Sequence, residues 1–143
     1  MHLYMLKMAK EHNFRFDTVQ MPLHVMDAHF RSFEDNVLPV LVAQQIGVLG
    51  MKSRGSGLLL MANIGTPIEC LQYAWNLPTS VVITGIDSMR ILEQALEAVT
   101  TFKPWTRQVV DKLFEKTSKW AANGEFELFK TSSHFDSTAQ NPE

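Results

Sequence analysis

Three short segments carry side chains suited to chemistry, and each follows a run that reads as a β-strand. The first is QMPLH at 20–24, after the β-rich run 16–21 that Pro22 closes. Gln20 stands at the strand end, where its amide either fixes the amide of a ligand or is satisfied locally by backbone. The second is GMKSRGSG at 50–57, after the apolar run 46–51. Its glycines permit close backbone approach, and Lys52, Ser53, Arg54 and Ser56 are donors of the kind that bind phosphate. The same composition also suits a plain solvent loop, and the segment lacks the Gly-Lys-Ser/Thr ending of a P-loop. The third is TGIDSM at 84–89, after the run 80–84. A strand, a glycine turn and a helix start present backbone N–H groups and the positive end of a helix dipole, a geometry that takes anions. Asp87 or Ser88 also serves there as an ordinary helix cap.

Other reactive types give weaker signals. His24 and His29 flank Asp27 but do not share a helical face, so they do not converge as metal ligands must. His134 falls in the polar stretch 132–143, expected to be a mobile tail. Cys70 beside Leu71 reads as a small buried hydrophobe, and Trp75, Trp105 and Trp120 read as packing anchors. The methionines of the opening residues read as core filler. A single cysteine excludes an internal disulfide or a four-cysteine metal site.

The elements that must position these segments follow from periodicity. Helices are expected over 3–12, over 27–45 with a break at Pro39, from Thr66 to about Asn76, over 89–100 and from Thr106 to Gly124. Thr66, Pro67 and Glu69 form a helix start in which threonine caps and glutamate closes a capping box. Leu92, Ala95, Leu96 and Val99 should face a core, as should Val109, Val110, Leu113, Phe114 and Thr117. The apolar strands should be buried on both faces. Helix and strand alternate, so the strands pair in parallel through right-handed crossovers, in a small open α/β sheet or part of a (β/α) barrel. Three such strands leave two bare edges.

Composition bounds what the fold can be. The chain has 143 residues, 45% of them hydrophobic and 20% charged, enough for one globular domain with a core. The net charge of −2, without a basic block, argues against nucleic acid or an acidic membrane as partner. The longest apolar run, 58–62, is too short to span a bilayer, and the opening residues read as helix rather than as a signal peptide.

The runs FDTVQMPLHVMDAHF, LPVLVAQQIGVLGMKSRGSG and TPIECLQYAWNLPTSVVITGIDSMRILEQALEAV resemble the C-terminal half of bacterial aldo/keto reductases, from about His2 to Val99. That family is a TIM-type (β/α)8 barrel that uses NADP or NAD to reduce carbonyls to alcohols. The resemblance implies a partial barrel over 1–103, similar to barrel strands six to eight. It also implies a C-terminal helical extension over 104–131 and a tail over 132–143. Gln20 matches the glutamine that holds the nicotinamide amide. Met51 stands where many members stack an aromatic ring on the nicotinamide. Lys52 and Ser53 lie in the loop near the pyrophosphate. Gly85, Asp87 and Ser88 occupy the phosphate and ribose loop, and Gln94 stands where many members place an acid near the adenine. Ile91 stands where many members carry a basic residue for the 2′-phosphate, with Arg90 beside it, and Arg54 departs from the apolar residue expected after GMKS.

No residue aligns with the family's catalytic aspartate, tyrosine, lysine and histidine, and Tyr4 and Tyr73 sit at core-like helical positions. The resemblance therefore implies a gene fragment or half of a split protein, cytoplasmic, with cofactor loops and no catalytic residue. A small carbonyl compound would be the substrate of the intact protein. Two other readings stand beside it: a non-catalytic half-barrel that associates through its sheet edges, and a generic phosphate- or nucleotide-binding α/β domain.

Overall fold

The computed structural model describes residues 1–61, 63–121 and 123–132. Of the expected tail at 132–143, residues 133–143 with His134 lie outside the described residues, as does the Ser56 side chain. The protein is an α/β structure built on a three-stranded parallel sheet in the order β1-β2-β3. The strands are β1 (Thr18–Pro22), β2 (Gly47–Met51) and β3 (Val81–Val82). Helix α1 (His2–Glu11) precedes β1. The first crossover carries a single 3-10 turn (Asp27–His29), then α2 (Phe33–Asn36) and α3 (Leu38–Ala43). The second carries α4 (Leu58–Met61) and α5 (Pro67–Asn76). After β3 come α6 (Met89–Thr101), α7 (Arg107–Ala121) and α8 (Leu128–Thr131).

Register decides which residues share a face. Val19 pairs with Val48 and Met21 with Gly50, while Gln20 pairs with Leu49 and Leu49 with Val81. Met21 and Val48 belong to the face that the helices cover, in a core with Leu6, Leu23, Leu38, Leu41 and Ile46. Gln20, Leu49 and Val81 lie on the other face. That face is open: Gln20 is exposed, Leu49 and Met51 are half-buried, and Val81 and Ile83 are 51% and 40% exposed. The expectation of strands buried on both faces is corrected here. All the connecting helices lie on one side, because successive right-handed crossovers in an unreversed strand order return to the same face. β3 is also shorter than the run 80–84 predicts.

A second core joins the crossover helices to the C-terminal ones. Val25, Leu59, Cys70, Tyr73 and Ala121 are buried there, with Trp105, Val110, Leu113 and Phe114 packed against them. The α7 stripe is thus mostly as periodicity predicts, although Val109 stays exposed. The α6 stripe is not. Ala98 is its buried residue, Leu96 and Val99 face outward, and Gln72 ties α5 to the Ala98 carbonyl at 3.0 Å. Trp120, Tyr4, Met1 and Met5 are exposed rather than core.

Local chemistry fixes the boundaries. Thr66 accepts from the Glu69 N–H at 3.1 Å, and Glu69 Oε2 accepts from the Thr66 N–H at 2.9 Å, the full capping box. The stretch 27–45 breaks into three pieces because the Asp27 carboxylate takes the N–H groups of Phe33 and Glu34, at 3.1 and 2.8 Å. Ser32 then caps α2. Replacing Thr66 by alanine should lower stability by about 1 kcal/mol in urea denaturation, with an unchanged m-value.

Candidate functional site

The three nominated segments meet at one end of the sheet. A cavity of about 420 Å³ opens there, within the size range of small-molecule sites. Gln20, Met51, Lys52, Ser53, Gly85 and Asp87 all line it, from the ends of all three strands. Ser88 and Gln94 are not among its lining residues, whereas Arg54, Leu60 and Ile91 are. Gln20 Nε2 donates to Met51 Sδ at 2.9 Å, which spans the open face from β1 to β2. A thioether is a weak acceptor, so a better one can displace it.

Arg54 stitches the second and third segments together. Its guanidinium donates to Thr84 Oγ1 at 3.1 Å and to the Gly85 carbonyl at 2.9 Å. A planar group with several fixed donors suits such a bridge better than lysine. Lys52 adopts a left-handed backbone, φ 54°, and its carbonyl accepts from the Gly55 N–H at 2.7 Å, turning the chain into the cavity wall. Ser53 lines the cavity and is almost wholly buried. A Cβ added at Gly85 or Gly57 would meet nothing within 4 Å, so both glycines leave open room beside the cavity. Ser88 caps α6 by accepting the Ile91 N–H at 3.4 Å.

No family model, curated protein or solved structure matches this chain. The assignment of chemistry therefore rests on the residues themselves.

A buried charge cluster lies on the other side of Lys52, and sequence reasoning did not find it. Lys130 Nζ is 2.5 Å from Asp27 Oδ1, 2.5 Å from Glu127 Oε1 and 2.7 Å from the Phe30 carbonyl, which accepts its hydrogen bond. His24 Nε2 is 3.8 Å from Glu127 Oε1, and the ring nitrogens of His24 have no hydrogen-bond partner among the described residues. Burial, and then the charges of Lys130 and Lys52, hold the His24 pKa down at about 3, so the ring is neutral. Burial pushes Glu127 up to about 7 against the opposing pull of Lys130. Glu127 and Lys130 are one helical turn apart in sequence, but nothing in their spacing points to Asp27, a separation of 103 residues.

The remaining candidates separate. His29 Nε2 lies 2.8 Å from Thr117 Oγ1, and that hydroxyl donates to the Leu113 carbonyl, so the two histidines do not converge. Cys70 is buried, and desolvation lifts its thiol to about 11, which keeps it protonated. Tyr73 is buried and donates to Glu34 Oε2 at 2.5 Å, and burial raises its pKa.

Two of the shifted groups, Glu127 and His24, make opposing contributions to the pH dependence of stability. An acid whose pKa is raised in the folded state favours folding when protonated, so Glu127 adds stability as pH falls from about 7 toward 4.5. A histidine whose pKa is depressed resists protonation in the fold, so His24 removes stability as pH falls from 6.5 toward about 3. The joint contribution of these two groups should rise from about pH 8 to 6.5, change little while their slopes oppose, and fall below about 4.5. Glu127→Gln should abolish the rise. Urea titrations across this range check it, and an unchanged profile in the variant refutes the assignment to Glu127.

Proposed function

We propose that this chain is the cofactor-binding part of an NAD(P)-dependent aldo/keto reductase, corresponding to the last three βα units of a (β/α)8 barrel. One observation carries the reading. Six residues that the resemblance nominated, drawn from three separate segments, line a single cavity at the ends of parallel strands. The open apolar sheet face supports the barrel form, since a singly wound sheet with Leu49, Val81 and Ile83 on its bare side is suited to a closed interior.

The donor set fits a nicotinamide dinucleotide. Gln20 offers a carboxamide that can pair with another carboxamide in place of the Met51 thioether. Lys52 and Arg54 bring two cations to a cavity rim whose glycines leave space for a phosphate, and Asp87 offers a carboxylate to sugar hydroxyls. The nicotinamide, when bound, supplies a hydride to a carbonyl carbon. Met51 and Ile83 line the sheet end where the ring would lie. Ile91 lines the cavity where a basic residue would favour a 2′-phosphate, so the two cofactors should bind with similar strength. No acid for the carbonyl oxygen is assigned in this chain.

The 143-residue protein should bind NADPH and NADH weakly in fluorescence titrations and oxidise neither in the presence of aldehydes or ketones. Gln20→Ala and Arg54→Ala should each weaken binding by about tenfold, the loss of one charge-assisted or bidentate contact. Clear NADPH oxidation by the purified chain would overturn the proposal, as would binding of inorganic phosphate as tight as that of the dinucleotides. The second result would favour a generic phosphate-binding α/β domain.

A second reading is self-association through the sheet edges. Val81, Ile83, Ile86, Leu96 and Val99 are exposed on or after β3, and Leu3, Tyr4 and Met5 on α1 before β1. Exposed Glu93 and Glu97 on α6 complement exposed Lys7 and Lys10 on α1. Light scattering over a concentration series should give a mass approaching twice 16.3 kDa, and Glu97→Lys should shift it back toward the monomer. A monomer at every concentration would exclude this reading.

A further inference from the structure

The C-terminal turn lies against the back of Lys52. Gly124, at φ 70°, sends the chain back across the loop that follows β1, and a Cβ there would come within 2.6 Å of the Phe30 ring. α8 is only four residues long, yet its Lys130 side chain is 4% exposed and its N-cap Glu127 1%. Buried charges persist only where they are paired, and Lys130 is held by Asp27, Glu127 and the Phe30 carbonyl. Arg31 adds a hydrogen bond to the Lys130 carbonyl at 3.1 Å. This anchoring fixes the neighbouring Phe129. Its ring stacks on Phe33 at 6.4 Å, meets His24 edge-on at 6.2 Å, and lies 5.7 Å from Lys52 Nζ.

We propose that the turn Glu127–Thr131 is a strap that positions Lys52 at the cavity, with Phe129 as the positioning residue and Lys130 as its anchor. The inference rests on the cofactor reading above and assigns to the strap control of affinity for a pyrophosphate-bearing ligand. Lysine is a flexible point charge, and binding an anion normally costs it rotamer freedom. An aromatic face that attracts the ammonium limits that freedom beforehand, so less is lost when the anion arrives. Phe129 is not among the residues that line the cavity, so it acts there through Lys52.

The test uses the full chain and two readouts. The first is the chemical shift of the Lys52 side-chain methylene protons in the protein without ligand. The Phe129 ring should displace them from the other lysines, Phe129→Leu should remove the displacement, and Phe129→Trp should restore it. The second is titration with NADPH and with inorganic pyrophosphate. Phe129→Leu should weaken NADPH by about three- to fivefold, the strength of a partly exposed cation–π contact, with recovery in Phe129→Trp. In a Lys52→Met background, Phe129→Leu should change nothing. An equal loss in that background, or no ring-induced displacement in the wild-type protein, would overturn the strap. If the wild-type chain binds neither NADPH nor pyrophosphate, the cofactor reading fails, and with it the strap's control of affinity. The proton shifts then judge positioning of Lys52 alone. They need no variant to fold for their first result.

Discussion

Everything in this fold depends on how parallel strands must be joined. A parallel pair cannot close through a tight turn, so each connection travels the length of the sheet and returns. With the strand order unreversed and each return of the same hand, every connecting helix lands on one face. Two properties follow. The helix-covered face builds one core around Met21 and Val48, and the other face keeps Gln20, Leu49, Met51 and Val81 together with no helix over them among the described residues. The strand ends all point the same way, so the three loops with polar groups gather at one end. The cavity is thus a product of topology first and of side-chain chemistry second.

Much of this was legible in the residues. Thr66, Pro67 and Glu69 marked the start of α5, because a capping box is a local structure whose partners lie three residues apart. The convergence of the three segments was legible too, since strand-end loops of a parallel sheet share one end whatever lies between them. The strand faces were not. An apolar run such as GVLG says that both sides avoid water, and cannot say whether a helix or the rest of a closed sheet is to cover the second. The α6 stripe misled for a related reason: periodicity identified an apolar face, but α5 took Ala98 and left Leu96 and Val99 outside.

The least legible features are those made by distant partners. Asp27 drew notice only as the residue between two histidines, yet it organises the first crossover through Phe33, Glu34 and Lys130. Arg54 looked like a departure from an apolar pattern, and it is the bridge between the second and third loops. Neither role has a spacing signature, because each depends on where the chain returns after dozens of residues. Polar groups that satisfy one another across a fold carry no periodicity, whereas apolar faces and caps do.

The pairing of Asp27 with Lys130 also has a consequence for the order in which the protein can be made. The two residues are 103 positions apart, and translation adds roughly 5–20 residues each second. For something like 5–20 s on the ribosome, Asp27 must remain hydrated, because burying it before its cation emerges would strand an unpaired charge. The first crossover can form its helices in that interval but cannot seal its polar centre. The turn that carries Lys130 is therefore the one that lets the Asp27 loop dehydrate, and vectorial synthesis holds that part of the fold open until the later segment has emerged.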